Sequence, residues 1–301
     1  MYDFIISDYE TNHLKYISKS ENRLRWRESM ELFKSVKVTD RITRIEMPYV
    51  CAYLIEGDDK AILLDTGFGY GDLKAFVDTL TTLPYEVILT HGHPDHAGGS
   101  VQFETVYIHP REFVAAERDC SIENRRKIRQ HVVKKLGILD EDMSMWLPQR
   151  TEAFLPITEK DVFDLGGVTL KPVLVPGHAQ GIICIVIPEE KIAIFGDACS
   201  DPTLLNLDAS TTIREHLQGL LHLREFEKMF DRVLINHSEY ELPKDVLANN
   251  ILLAHNILHG VDDKIRIRMS GNISYSARPN RTKNKYQMIP VGNILYRDDK
   301  L

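Results

Sequence analysis

The run Thr90-His91-Gly92-His93-Pro94-Asp95-His96 follows the apolar stretch Val87-Ile88-Leu89 and puts three imidazoles and a carboxylate almost side by side. No packing requirement asks for such a cluster. Neutral imidazole with carboxylate is the donor set that suits zinc. Under strand alternation His91 and His93 point the same way and can reach one metal. Asp95 and His96 fall just past the strand end, where a turn into a helix aims them at a second metal nearby. A plain polar turn with an Asp N-cap would leave the three histidines without a reason.

The rest of the chain bounds the setting. Its 301 residues, 43% of them hydrophobic, suffice for one large core, or one core plus a small appendage. A net charge of −7 makes a general nucleic-acid binder an unfavoured reading. No apolar run approaches the roughly 20 residues needed to span a bilayer. The start, Met1-Tyr2-Asp3-Phe4-Ile5-Ile6-Ser7-Asp8, lacks the basic region and apolar core of a signal peptide. Cys51, Cys120, Cys184 and Cys199 are scattered without paired spacing, which fits reduced thiols. A cytoplasmic protein acting on a small molecule, with no membrane partner, is the expectation.

Residues 1–40 are charged and weakly patterned, with a helical stretch expected over Glu21–Arg27, and read as an extension docked on the main body. Residues 41–260 read as one domain. In it short apolar runs such as Val50–Ile55 and Ala61–Leu64 alternate with helices expected at Asp72–Leu80, Ile213–Met229 and Lys244–Leu258. Such alternation argues for packed α/β layers. Residues 111–150 interrupt the rhythm with Glu, Arg and Lys around apolar positions at helical spacing, Ile128, Val132 and Leu136, and read as a helical insertion. Within it Arg125-Arg126-Lys127-Ile128-Arg129 is expected to be a solvated helix face.

Three further sites share one design, an apolar strand ending on a donor. Val173–Val175 leads to Pro176-Gly177-His178, Ile192–Phe195 to Gly196-Asp197, and Val233–Ile235 to Asn236-His237. Strand ends are where layered α/β proteins gather chemistry on a rigid base. Each alone is weak, but together and in this order they are specific.

On these residues the chain resembles the metallo-β-lactamase-fold superfamily over about residues 40–260. The resemblance implies a four-layer αββα sandwich, here with a helical insertion. It also implies that His91, His93 and His178 hold one zinc, that Asp95, His96 and His237 hold a second, and that Asp197 bridges them. Asp95 and Asp197 are then the catalytic carboxylates, and Asp65, in Leu63-Leu64-Asp65-Thr66-Gly67, supports the ligands from behind. A hydroxide shared by two Zn2+ ions is the nucleophile that this family pattern implies, and iron or manganese can occupy related sites.

Departures narrow the branch. A cysteine-ligand β-lactamase would carry Cys at the position of Asp197, flavin di-iron members usually carry Glu at that of His93, and acyl-homoserine lactonases carry Tyr where Ser200 stands. Hydrolases resembling glyoxalase II usually end on Gly-His-Gly, against Asn236-His237-Ser238 here. The expectation is a hydrolase of the glyoxalase II-like branch acting on an ester or thioester. A phosphodiesterase or nuclease on the same dinuclear site, or a non-catalytic metal sensor or di-iron redox protein, are the alternatives.

Other candidates read as bland. Cys199 is expected to be a small buried thiol, His255 and His259 ordinary helix residues, and His109 a helix entry. Between Lys264 and Arg297 the chain carries Arg266, Arg268, Arg278, Arg281, Lys283 and Lys285 and no acid. This basic segment, 261–301, either helps to hold an anionic part of the substrate or offsets an acidic body.

Overall fold

The computed structural model describes residues 32–137, 142–269, 272–281 and 289–301. The helix expected over Glu21–Arg27, and Lys283 and Lys285, lie outside these residues. Strands β1 (Lys34–Lys37), β2 (Ile42–Glu46), β3 (Cys51–Glu56), β4 (Ala61–Leu64), β5 (Tyr85–Ile88), β6 (Val106–Ile108) and β7 (Leu155–Pro156) lie side by side in chain order as one sheet. The first four pair antiparallel through short links, such as Gly57-Asp58-Asp59 between β3 and β4. From β4 onward the pairing is parallel, because the connections become crossovers.

The second sheet uses β8 (Phe163–Asp164), β9 (Thr169–Leu174), β10 (Ile183–Ile187) and β11 (Ile192–Ile194). The chain then leaves it through β12 (Thr203–Leu205) and returns as β13 (Arg232–Leu234) and β14 (Glu241–Leu242), giving the order β14-β13-β11-β10-β9-β8. A smaller third sheet joins β12 to the C-terminal β15 (Ile265–Met269), β16 (Asn272–Ser276) and β17 (Ile294–Tyr296), with β17 parallel to β12. The helices are α1 (Leu73–Val77), α2 (Pro94–Ala97), α3 (Phe113–Asp119), α4 (Ile122–Lys135), α5 (Ile213–Glu225) and α6 (Val246–Leu258).

Side-chain alternation builds the layers. Tyr53 and Ile55 of β3 meet Ile183, Ile185 and Ile187 of β10 in a core between the two large sheets. Their neighbours face outward. Ala52 and Leu54 pack with Leu73 and Val77 of α1, while Cys184 and Val186 pack with Leu217, Leu220 and Ala254 of α5 and α6. The result is the αββα sandwich. Among the described residues no helix is long and apolar enough to cross a membrane.

The insertion is helical, but its arginine run is not a solvated face. Arg125 and Arg129 are buried, at 0% and 2% exposure. They share a helix face with Ile128 and Val132, and what that face meets is a set of backbone carbonyls and aromatic rings. The Arg125 guanidinium donates to the carbonyls of Cys120 (2.9 Å), Phe68 (3.0 Å), Gly98 (3.2 Å) and Leu147 (2.8 Å). Arg129 lies 3.8 Å over the Tyr70 ring. Only the intervening Lys127 is fully exposed.

Candidate metal centre

β5 delivers Thr90 and His91 at its end. His93 then occupies the N-cap of α2, with Pro94 at the first helical position and Asp95 in the first turn. One turn therefore splits the cluster, so that His91 and His93 face one way and Asp95 and His96 another. The loops after β9, β11 and β13 bring in His178, Asp197 and His237. Gly196 takes φ +54°, a conformation glycine tolerates, to turn Asp197 into the centre.

The donors form two groups. His91 Nε2 and His178 Nε2 each lie 2.9 Å from His93 Nδ1. His96 Nε2 lies 3.3 Å from His237 Nε2, and Asp95 Oδ2 is 3.5 Å from His237 Nε2. Asp197 stands between the groups, with Oδ2 at 3.4 Å from His178 Nε2 and 3.5 Å from His96 Nε2, and Oδ1 at 3.5 Å from His237 Nε2. Among the described residues the His91-His93-His178, Asp95-His96-His237 and His91-His96-Asp197 groups each bring one donor atom per residue within 4.8 Å of one another. All seven expected residues meet here.

What stands behind the rings decides what the inner nitrogens can do. His178 Nδ1 lies 3.0 Å from the Leu204 carbonyl, and His237 Nδ1 lies 2.8 Å from the Tyr49 carbonyl. A carbonyl only accepts, so both Nδ1 atoms carry a proton, and in the neutral rings both Nε2 atoms present lone pairs inward. His96 Nδ1 donates to Asp65 Oδ2 at 2.8 Å. Asp65 also receives the Thr90 amide and hydroxyl and the Asn236 amide, and the Thr90 hydroxyl in turn faces His91 Nδ1 at 3.0 Å. Thus one buried carboxylate orients His96 directly and His91 through Thr90. Lone pairs that converge this closely repel unless a cation lies among them. The donor set fits a metal, with each outer N–H anchored as metal-bound imidazoles require.

Electrostatics separate the two groups. Burial pulls His93 and His178 down to about 4, and burial with the neighbouring imidazoles holds His91 well below its ordinary value. The three-histidine group is therefore neutral at pH 7. Burial opposes charge on His96 and His237 too, but Asp65 and Asp95 on the first and Asp197 on the second outweigh it and raise both. Burial likewise opposes ionisation of Asp197, yet His237 and His96 hold it well below the usual carboxylate range.

A cleft of about 430 Å³ opens over His93, Asp95, His178 and Asp197. Ile128 and Val132 of the insertion form one wall, and Leu204, Leu207 and Met269 of the β12–β15 region form the other. A smaller recess of about 80 Å³ adjoins it, lined by His178, Asp197 and His237 together with Ser200, Asp201 and Glu239.

Residues without a sequence signal complete the site. Tyr49 holds His237 with its carbonyl, from a left-handed φ of 86°. Asn236 is fully buried and joins Cys51 to Asp65 (Nδ2 to the Cys51 carbonyl, 2.8 Å), while Ser238 takes φ 55°, a left-handed conformation that favours glycine. In the Asn-His-Ser sequence the Asn236 side chain thus makes hydrogen bonds that a glycine could not. Cys199 is buried, its thiol pushed up to about 12, with Asn250 Nδ2 at 3.3 Å. His255 and His259 are exposed and join no such donor group among the described residues. His109 caps the turn Pro110–Glu112. The basic C-terminal segment is tied to the body: Arg281 bridges Asp201 (3.1 Å) and Glu239 (2.8 Å), and Arg297 pairs with Asp208 (2.6 Å).

Comparison with known proteins agrees with this geometry. The family model described as the metallo-beta-lactamase superfamily matches residues 49–219. The chain is 26% identical over 199 residues to the human acyl-coenzyme A thioesterase MBLAC2, covering 62% of this chain and 71% of that protein. It is 26% identical over 171 residues to the atrochrysone carboxyl ACP thioesterase nsrC of Aspergillus novofumigatus, covering 55% of this chain and 41% of that protein. Among solved structures, a metallo-beta-lactamase from Pontibacter korlensis superposes with a TM-score of 0.55 at 17% identity, over 74% of this chain and 99% of that one. The sec-alkylsulfatase Pisa1 from a Pseudomonas species does so with a TM-score of 0.58 at 14% identity, over 76% of this chain and 42% of that one. Such structural likeness speaks to the fold alone. The family match spans more than half of the chain and takes in the histidine cluster, His178 and Asp197, so the chain belongs to the metallo-β-lactamase superfamily.

Proposed function

We propose that this hydrolase cleaves acyl thioesters with two zinc ions, one on His91, His93 and His178, the other on Asp95, His96 and His237, with Asp197 shared. The observation that carries the reading is the cleft that opens directly over both donor groups with Ile128, Val132, Leu204, Leu207 and Met269 in its lining. An acyl chain would lie against Ile128, Val132, Leu204 and Met269, with its carbonyl toward the two donor groups. When bound, such ions supply a Lewis acid for the scissile carbonyl oxygen and a water acidified toward a pKa of roughly 7. The chain's own work is positioning. Asp65, Thr90 and the carbonyls of Tyr49 and Leu204 fix the imidazole tautomers before substrate arrives.

The thioesterases among the relatives and the all-nitrogen-and-oxygen donor set support a place in the glyoxalase II-like branch. Four buried free cysteines support a reducing, cytoplasmic setting. The cleft's arginines already hold carboxylates, Arg118 on Asp119 and Arg297 on Asp208 and Asp299, so an anionic substrate group would compete with those pairs. That favours a thioester over a phosphodiester.

Steady-state kinetics of the zinc-reconstituted protein on an acyl thioester, a lactone and a phosphodiester tests this. The thioester should lead in kcat/KM by about tenfold or more. A lead for the phosphodiester overturns the substrate assignment. Turnover of none of the three by a zinc-loaded protein overturns it in favour of a sensor.

A further inference from the structure

We propose that Glu112 is a positioning residue that sets the spacing of the three-histidine site by holding its two loops together through their backbone amides. The inference rests on the reading of His91, His93 and His178 as metal ligands. These three come from different sheets: His91 and His93 from the loop after β5, and His178 from the loop between β9 and β10. Glu112 sits just before α3 and is 1% exposed. Its Oε2 accepts from the Gly92 amide at 3.0 Å, and its Oε1 accepts from the Gly181 amide at 2.6 Å. Gly92 lies between His91 and His93, and Gly181 lies just beyond His178. One carboxylate therefore spans both ligand-bearing loops from behind.

The packing brings both loops close to Glu112. A Cβ on Gly92 would come within 2.8 Å of the Ala116 amide of α3. On Gly181 it would come within 2.7 Å of His109 Nδ1 and 3.1 Å of Glu112 Cγ. Both loops press against the start of the insertion, close enough for a short side chain to reach their main chain. A backbone bond from Ile183 to the Thr90 carbonyl (3.0 Å) ties the same segments farther from the inner nitrogens. The other donor group is held by different residues, Asp65 behind His96 and the Tyr49 carbonyl behind His237. Loss of Glu112 should therefore loosen one group selectively, and two buried amides would lose their acceptor.

The test is a zinc titration against a chromophoric chelator, on wild type, Glu112→Ala and Glu112→Gln, with thermal unfolding of each metal-free protein. His178→Ala and His237→Ala assign each binding step to its donor group. Glu112→Ala should weaken the three-histidine step by about 10–100-fold, the range for a residue that orients metal ligands, and leave the other step in place. Glu112→Gln keeps the volume and one acceptor oxygen but turns an NH2 toward the second amide, so it should fall between. It also carries the test if the alanine variant does not fold. Two steps that stay unchanged, or that weaken together in proportion to a lower melting temperature, overturn the inference while leaving the metal reading intact. A wild-type chain that takes up no zinc overturns both.

Discussion

Each imidazole of the centre has one nitrogen whose state is set by a fixed neighbour, and that is where residue-level reasoning gains and loses most. The donors themselves were legible, because ligands at strand ends leave short spacings such as His91-x-His93 and the Asp95-His96 pair. The partners that orient them were mostly not. The Tyr49 and Leu204 carbonyls act through the main chain, which every residue has. His216 makes the same point away from the donor groups. It is fully buried on α5, and its Nδ1 donates to the Pro176 carbonyl at 3.2 Å, just behind the His178 loop. Burial lowers it from 6.5 to about 4, against the pull of that carbonyl. Between those values the unfolded chain binds a proton that the folded chain refuses, so stability rises with pH through this window and is lost as pH falls from 6.5 toward 4. The contribution is at most about 3 kcal/mol. Urea unfolding of metal-free protein at neutral pH and near pH 4.5 should show a smaller acid loss in His216→Gln than in wild type. Equal losses in both would mean that His216 already charges in the folded state.

At the scale of elements, the insertion shows how composition misleads. A run of three arginines and a lysine around Ile128 reads as solvated, yet Arg125 and Arg129 recur on the face that Ile128 and Val132 define. The clue was periodicity rather than charge. Arg125 ties α4 to the Phe68–Gly69 loop and to Gly98, the C-cap of the helix that carries Asp95 and His96. A lysine offers one ammonium where the guanidinium fork serves several carbonyls in a plane. Arg125→Lys and Arg125→Met should each lose on the order of 3 kcal/mol in chemical denaturation, with lysine giving little rescue. A lysine variant as stable as wild type would show that charge alone holds the insertion. Helix ends were legible only where capping chemistry marks them. α5 starts at a capping box of Thr212 and Glu215 but yields at Glu225 to a short 3-10 turn, where the apolar spacing alone ran on to Met229.

For the molecule as a whole, packed α/β layers followed from apolar runs alternating with helices, and the αββα order of those layers from the family resemblance carried by strands that end on His and Asp. The third sheet left no such trace. β12 pairs with β17 across most of a hundred residues of sequence, and a parallel pairing at that separation has no local pattern. Yet this sheet, facing the insertion, supplies a wall of the cleft, so the least legible part of the fold is what should shape the substrate. It also accounts for the basic C-terminal segment, whose Arg281 clamps the loops that carry Asp197 and His237 through Asp201 and Glu239. The central claim, that paired metals on these seven residues make this chain a thioester hydrolase, is tested most directly by stripping the protein with a chelator and titrating zinc back while following bound metal and thioester hydrolysis together. The account predicts an inactive stripped protein whose activity returns in step with zinc and levels off at about two equivalents per chain. Full activity in the stripped protein, or binding that saturates well below about one equivalent, would contradict it.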